Sequence, residues 1–174
     1  MRHGFTACLI GLICVGLLSP VLAKDVKIGY IDSDRILEEF SEFQEARQKL
    51  QEEEQAYVTE VGALEEVVTS MRQELEAQSL MLSAESRKEK EERLRKKEEE
   101  LDAFRRETWG EGGKLFTRNL ELSRPILERI NAAIETISEQ DGYDMVFDAA
   151  AGNIVFALPQ HDITQLVLDE LEKE

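Results

Sequence analysis

Between Ile36 and Leu82 an apolar side chain returns at alternating steps of four and three. The register runs through Ile36, Phe40, Phe43, Arg47, Leu50, Glu54, Tyr57, Val61, Leu64, Val68, Met71, Leu75, Gln78 and Leu82. Eleven of those fourteen positions are apolar in an otherwise highly charged segment. A 3.5-residue repeat keeps one stripe of a helix turned towards a partner helix along its whole length, as a coiled coil requires. The stripe is several times the length of an ordinary globular helix. It predicts a rod, and the rest of the chain must be arranged around that rod.

The repeat stops at "SLMLSAES". Ser79, Ser83 and Ser86 break the period, and Ser83 followed by Glu85 reads as an N-cap with an acidic first turn. A reversal is predicted at 79–84, with one continuous helix as the alternative, because no Gly or Pro stands there. Arms over 33–83 and 83–140 would then pair as an antiparallel hairpin about 75 Å long, at 1.5 Å per residue. The return arm opens with "ESRKEKEERLRKKEEE", where Leu94 is the only large apolar residue. Arg87 to Glu100 holds seven basic and six acidic residues. Glu89–Arg93, Glu91–Arg95 and Glu92–Lys96 stand in the favourable i,i+4 order, so a solvated helix held by surface pairs is predicted.

This asymmetry leaves the outgoing arm with more apolar surface near the tip than the return arm can cover. Val61, Leu64, Val68, Met71 and Leu75 are therefore predicted to form an unpartnered stripe, the candidate binding surface of the arm. Further along, Gly110, Gly112 and Gly113 beside Trp109 predict a distortion of the return arm. Pro125 predicts a kink, or a new helix after Ser123. Ile126, Ile130, Ala133, Ile134 and Ile137 then form a dense apolar face, with a solid partner expected.

The two ends read as β-structure. "DVKIGYIDS", residues 25–33, alternates as a strand, and "GYDMVFDAAAGNIVFALP", residues 142–159, places two β-rich runs around a Gly-Asn turn. A lone hairpin of this size is marginal in water. The helical hairpin returns the chain to its start, so the first strand is predicted to join 143–149 and 154–158 in a three-stranded sheet. Ser33 or Asp34 is expected to cap the first helix, and Asp162 with Gln165 to form a capping box on a last helix within "HDITQLVLDELEKE". Residues 154–158 are apolar on both faces, and a small sheet leaves open edges. Copies of the sheet are therefore expected to associate, through Ile28, Tyr30, Met145, Phe147, Ile154 and Phe156. The residues alone leave the number of copies open.

Residues 1–23 read as a secretory signal peptide: Arg2 and His3, an apolar run from Phe5 to Leu18, and Val21-Leu22-Ala23 before Lys24. Its removal takes Cys8 and Cys14, so the exported chain has no thiol and no disulfide framework. It also takes Arg2, leaving 20 basic against 37 acidic residues, net −17. Such a chain is unsuited to nucleic acid. The exported chain holds one histidine, His161, and no nucleophile motif. Gly113-Lys114 lacks the flanking Gly and Ser/Thr of a phosphate loop. No enzymatic activity, cofactor or metal is expected.

The order of strand, coiled-coil hairpin, "GYDMVFDAAAGNIVFALP", "HDIT" and terminal helix resembles the Skp/OmpH family of periplasmic chaperones, over essentially the whole exported chain. "KIGYIDSDRIL" is similar to that family's first strand and helix start. The resemblance implies an α+β, mostly α, homotrimer: a small oligomeric β-barrel body with three strands per subunit, carrying long coiled-coil tentacles around a cavity. The body would comprise 24–34 plus 126–174 and the tentacle 35–125. The implied function is an ATP-independent periplasmic holdase that sequesters unfolded outer-membrane β-barrel proteins. Familiar members are basic and this chain is acidic, which speaks against direct binding to anionic lipid or lipopolysaccharide. The competing reading from the residues is an exported coiled-coil spacer or envelope tether that binds no client.

Overall fold

The computed structural model describes residues 25–173, so the signal-peptide reading lies outside the described residues. Strand β1 is Ile28–Ile31, followed by helices α1 (Ser33–Glu39), α2 (Ser41–Gln78), α3 (Ala84–Trp109) and α4 (Lys114–Asp141). Strand β2 (Met145–Asp148), a single 3-10 turn (Pro159–His161) and helix α5 (Thr164–Leu171) complete the chain. α2 and α3 form the predicted antiparallel hairpin. α2 alone, at 38 residues, is about 57 Å long.

The reversal falls where the serines place it, at 79–83. Ser83 is extended and its hydroxyl accepts from Ser86 N–H, capping α3, while Arg87 reaches back to the Ser79 carbonyl. The triple glycine also breaks the return arm, between Trp109 and Lys114. A Cβ on Gly110 would lie 2.2 Å from the Arg106 carbonyl oxygen, and Gly112 has φ +69°, a left-handed conformation costly for other residues. The break faces a triangle of edge-to-face rings. Tyr57, Phe104 and Trp109 stand 6.1–6.4 Å apart, centre to centre.

Three expectations about helix ends are corrected. Of the kink and the new helix expected at Pro125, the new helix is not formed: α4 runs through it, because Pro125 and Glu121, whose carbonyl loses its donor, both lie on the solvent side, where water can serve instead. Asp32, rather than Ser33 or Asp34, caps α1 by accepting from Arg35 N–H at 3.1 Å. The seam helix is also interrupted at its base. Phe40 is extended, its ring buried in the core, and the α1 carbonyls of Leu37 and Glu38 left without helical donors are taken by the Gln44 side chain at 2.8 and 3.2 Å. The cause is tertiary: Phe40 must turn inward while α2 leaves the body.

One core joins the two ends of the chain. Ile31, Ile36, Phe40 and Ala46 pack with Ile126, Ile130, Ala133 and Ile137 of α4, and with Ile163, Val167, Leu168 and Leu171 of the C-terminal segment. β1 and β2 pair in parallel, Ile28 opposite Met145 through Ile31 opposite Asp148. A backbone bond from Ile163 N–H to the Tyr30 carbonyl, 2.9 Å, holds the other side of β1. The predicted three-stranded sheet is corrected. Among the described residues the sheet has two strands, and 154–158 follow the turn at Gly152 without a ladder partner. Ile163 and Asp162 occupy the outer side of β1, and 154–158 do not pair with the remaining edge of β2.

Polar bonds lock the junction of sheet and helices. Asp148 accepts from Ser33 N–H at 3.2 Å, from the Ser33 hydroxyl at 2.7 Å and from Ala150 N–H at 3.0 Å. Burial raises its pKa, but these bonds outweigh burial and hold it below the ordinary 3.8. The buried Thr164 hydroxyl accepts from Asp32 N–H at 2.9 Å and donates to Asp162, which also accepts Thr164 N–H. Gln165 bonds Arg35 and Asp169 instead, so the expected capping box is replaced by this Asp162–Thr164 turn. Because the folded-state pKa of Asp148 is depressed, its bonds stabilise fully above 3.8 and are lost as pH falls through the lower folded value. Asp148→Ala should therefore cost about 1–3 kcal/mol at neutral pH and much less at pH values below the folded pKa, as read by urea unfolding. An unchanged neutral midpoint would remove Asp148 from the junction.

Candidate functional site

α2 and α3 meet along the 3.5-residue seam. Val68 is 5% exposed, and Val61, Leu64, Met71 and Leu75 are half-buried on the same stripe. α3 brings buried Leu101 and half-buried Leu94 and Phe104 to the pairing. The stripe expected to lack a partner is thus the packed seam of the hairpin, which corrects the premise on which those five residues were chosen. Two helices cannot bury a seam fully, so its flanks stay half-exposed. Ion pairs tie the arms across it: Glu74–Lys90 at 2.6 Å, Arg72–Glu98 and Glu65–Arg105 at 2.5 Å, and Glu53–Arg118 at 2.8 Å. Hydrogen bonding to Lys90 is the main cause that lowers the Glu74 pKa. Apart from Lys90, 24% exposed, these groups are well exposed, so each pair contributes little alone. On the surface of α3, Glu89–Arg93 and Glu92–Lys96 form as predicted, whereas Arg95 bonds Glu92 and Glu99 rather than Glu91.

The exposed apolar surface lies elsewhere. On α4, Phe116, Leu120 and Leu127 are 54%, 41% and 46% exposed at i, i+4 and i+11. They form one strip beside the face that carries Ile126, Ile130, Ala133 and Ile137 into the core. A count of large apolar residues per arm misses this strip, because α4 has more of them than one core face can use. At the arm tip, Leu80 and Met81 are almost fully exposed.

The body has its own open face. Strand alternation sends Gly29, Ile31, Val146 and Asp148 towards the helices. It leaves Ile28 beside Met145 and Tyr30 beside Phe147 on the opposite side. Ile28, Met145 and Phe147 are 42–55% exposed, Phe156 is 81% exposed, and Tyr30 and Ile154 are half-buried. The structure brings the four strand residues of the candidate interface together on one face. Val26, Val155 and Leu158 are further exposed apolar residues in the same segments, and Val155 is fully exposed. His161, at the sheet edge, bonds the Ile28 carbonyl through Nδ1 at 3.2 Å.

A family model described as outer membrane protein (OmpH-like) matches residues 27–171, from the first residues of the sheet to the end of α5. The chain belongs to the OmpH-like family. It is 26% identical over 178 residues to the chaperone protein Skp of Yersinia enterocolitica, covering 99% of this chain and 100% of that protein. It also superposes on the crystal structure of an OmpH-like outer membrane chaperone of Caulobacter crescentus CB15. The TM-score is 0.74 at 15% identity, covering 93% of this chain and 91% of the other. That second likeness is one of fold. Membership and fold agree on a mostly helical chain with a small sheet and a long helical hairpin. Among the described residues no helix is long and apolar enough to cross a membrane.

In this OmpH-like chain the seam is structural, so its most buried residue should control the arm. Val68→Ala should cost about 2 kcal/mol and speed amide hydrogen exchange in α3 between Leu94 and Phe104. Unchanged protection there would mean that α2 and α3 do not support each other.

Proposed function

We propose that this chain is an ATP-independent holdase of the periplasm. It would be exported through a cleaved signal peptide at 1–23 and assembled as a homotrimer that sequesters unfolded outer-membrane β-barrel proteins between its arms. The observation that carries the reading is a division of labour in the structure. A hairpin arm leaves the core behind, while the body leaves a two-stranded apolar face uncovered. Membership of the OmpH-like family and the likeness to the chaperone protein Skp of Yersinia enterocolitica support it.

The body, residues 24–34 and 126–174, would supply assembly. Ile28, Tyr30, Met145, Phe147, Ile154 and Phe156 would be covered by neighbouring copies, and 154–158 would gain there the strand partner that a single chain lacks. The arm, 35–125, would supply the cavity wall. A client held in a cavity is kept from other unfolded chains, and no bond need be broken or nucleotide spent. The acidic balance of the chain argues against a direct hold on anionic lipid or lipopolysaccharide. An envelope spacer, the competing reading, should satisfy its arm apolar residues internally. The seam residues Val61 to Leu75 largely do so, but Phe116 and Leu120 do not, and this favours the chaperone.

Two measurements test the reading. The signal-free protein should suppress light scattering when a urea-unfolded outer-membrane barrel is diluted in its presence, without ATP; unchanged scattering would leave the spacer. Phe147→Asp and Phe156→Asp should each convert a trimer to monomers in sedimentation velocity. A trimer surviving both substitutions would remove the sheet face from assembly.

A further inference from the structure

We propose, resting on the holdase reading, that the α4 strip Phe116–Leu120–Leu127 is a docking surface for unfolded polypeptide. The segments it prefers carry basic residues beside their apolar ones. The strip is about 16 Å long at 1.5 Å per residue. Its three side chains are 41–54% exposed on one helix face; of the charged residues within its span, Glu121 is paired with Arg118 and Arg124 is exposed. A client side chain laid there displaces water from apolar surface without burying a carboxylate.

The surroundings set the preference. Residues 25–57 and 110–173, which build the body and the proximal arm, hold 9 basic and 22 acidic residues, net −13. α3, further out along the arm, has nine of each and is neutral. α2 lies directly against the strip's own helix, tied to it by Glu53–Arg118 at 2.8 Å and by Glu42–Arg129. These ties fall within the strip, at Arg118, and just past its end, at Arg129, so the negative helix runs beside it at about one helix diameter, ~10 Å. That distance is comparable to the Debye length at physiological salt. Residues 41–57 of α2 hold five acidic and two basic residues, net −3; Glu45, Glu52 and Glu54, with Arg47 and Lys49, are exposed and make no ion pair among the described residues. An apolar segment flanked by Lys or Arg therefore gains from both surfaces, and one flanked by Asp or Glu gains from the strip and is repelled by its surroundings.

The test uses the full signal-free protein and two fluorescent, unstructured peptides. They have the same length and the same Phe, Leu and Val content, one flanked by four lysines and the other by four glutamates. At low salt the lysine peptide is expected to bind about tenfold tighter, and the gap should close at high salt. Phe116→Ser with Leu120→Ser, both exposed positions, should weaken both peptides roughly five- to tenfold with helix content and sedimentation unchanged. Glu45→Gln with Glu52→Gln and Glu54→Gln should narrow the preference and leave the glutamate peptide no weaker. Equal affinity for the two peptides, or a preference for the glutamate one, overturns the charge assignment. Unaltered binding by the serine variant overturns the strip. A changed mass of that variant makes the strip a subunit contact, which also overturns it. If the wild-type protein still suppresses barrel aggregation in these cases, the holdase reading stands and this inference alone fails. If it neither suppresses aggregation nor binds a peptide, both fail.

Discussion

Everything in this molecule depends on two four-residue strands meeting in parallel across more than a hundred residues of chain. Ile28 pairs with Met145 and Ile31 with Asp148, and a parallel pair cannot be joined by a tight turn. The crossover here is the arm itself. α2 travels outward, α3 and α4 return, and the core closes only when Ile31, Ile36 and Phe40 reach Ile130, Ile137 and Val167. The closure entropy of so long a loop is offset partly by the hairpin, which makes most of the intervening contacts local. The junction adds directed bonds: Asp148 to the start of α1, and Thr164 between Asp32 and Asp162.

Much of this was legible in the sequence, for physical reasons. The seam from Ile36 to Leu82, the serine-marked reversal and the glycine break are local signals, and local geometry is what a sequence writes most plainly. Strand identity at 28–31 and 145–148 was legible too. What failed depended on partners. The break at Phe40 has no Gly or Pro; it exists because the ring belongs in the core. Residues 154–158 have strand composition but pair with neither strand of their own chain. Pro125 is tolerated because its freed carbonyl faces water. The stripe Val61 to Leu75 was read as unpartnered from a count of residues per arm, whereas Leu94, Leu101 and Phe104 suffice to cover its centre. The strip on α4 was missed for the converse reason: attention to the dense core face of Ile126, Ile130, Ala133, Ile134 and Ile137 left Phe116, Leu120 and Leu127 unassigned.

Seam, strip and sheet face thus have different tasks. The seam is half-exposed because it is built from two helices, and the ion pairs along it fix register more than they add stability. The sheet face is apolar and open, and in the proposed assembly neighbouring copies would cover it. Between them stands an acidic body, while the distal arm at 58–109, with 10 basic and 14 acidic residues, is less acidic and its α3 is neutral. That distribution gives the cavity of the proposed trimer an electrostatic character of its own, and it ties client choice to charge as well as to apolar content.

The central claim is that copies join through the sheet face so that the arms enclose a client. Light-scattering mass of the signal-free protein, alone and after mixing with an unfolded outer-membrane barrel protein, tests it most directly. The account predicts the mass of three chains alone and of three chains plus one client in the mixture. A single-chain mass, or a three-chain mass unchanged by the client, would contradict it.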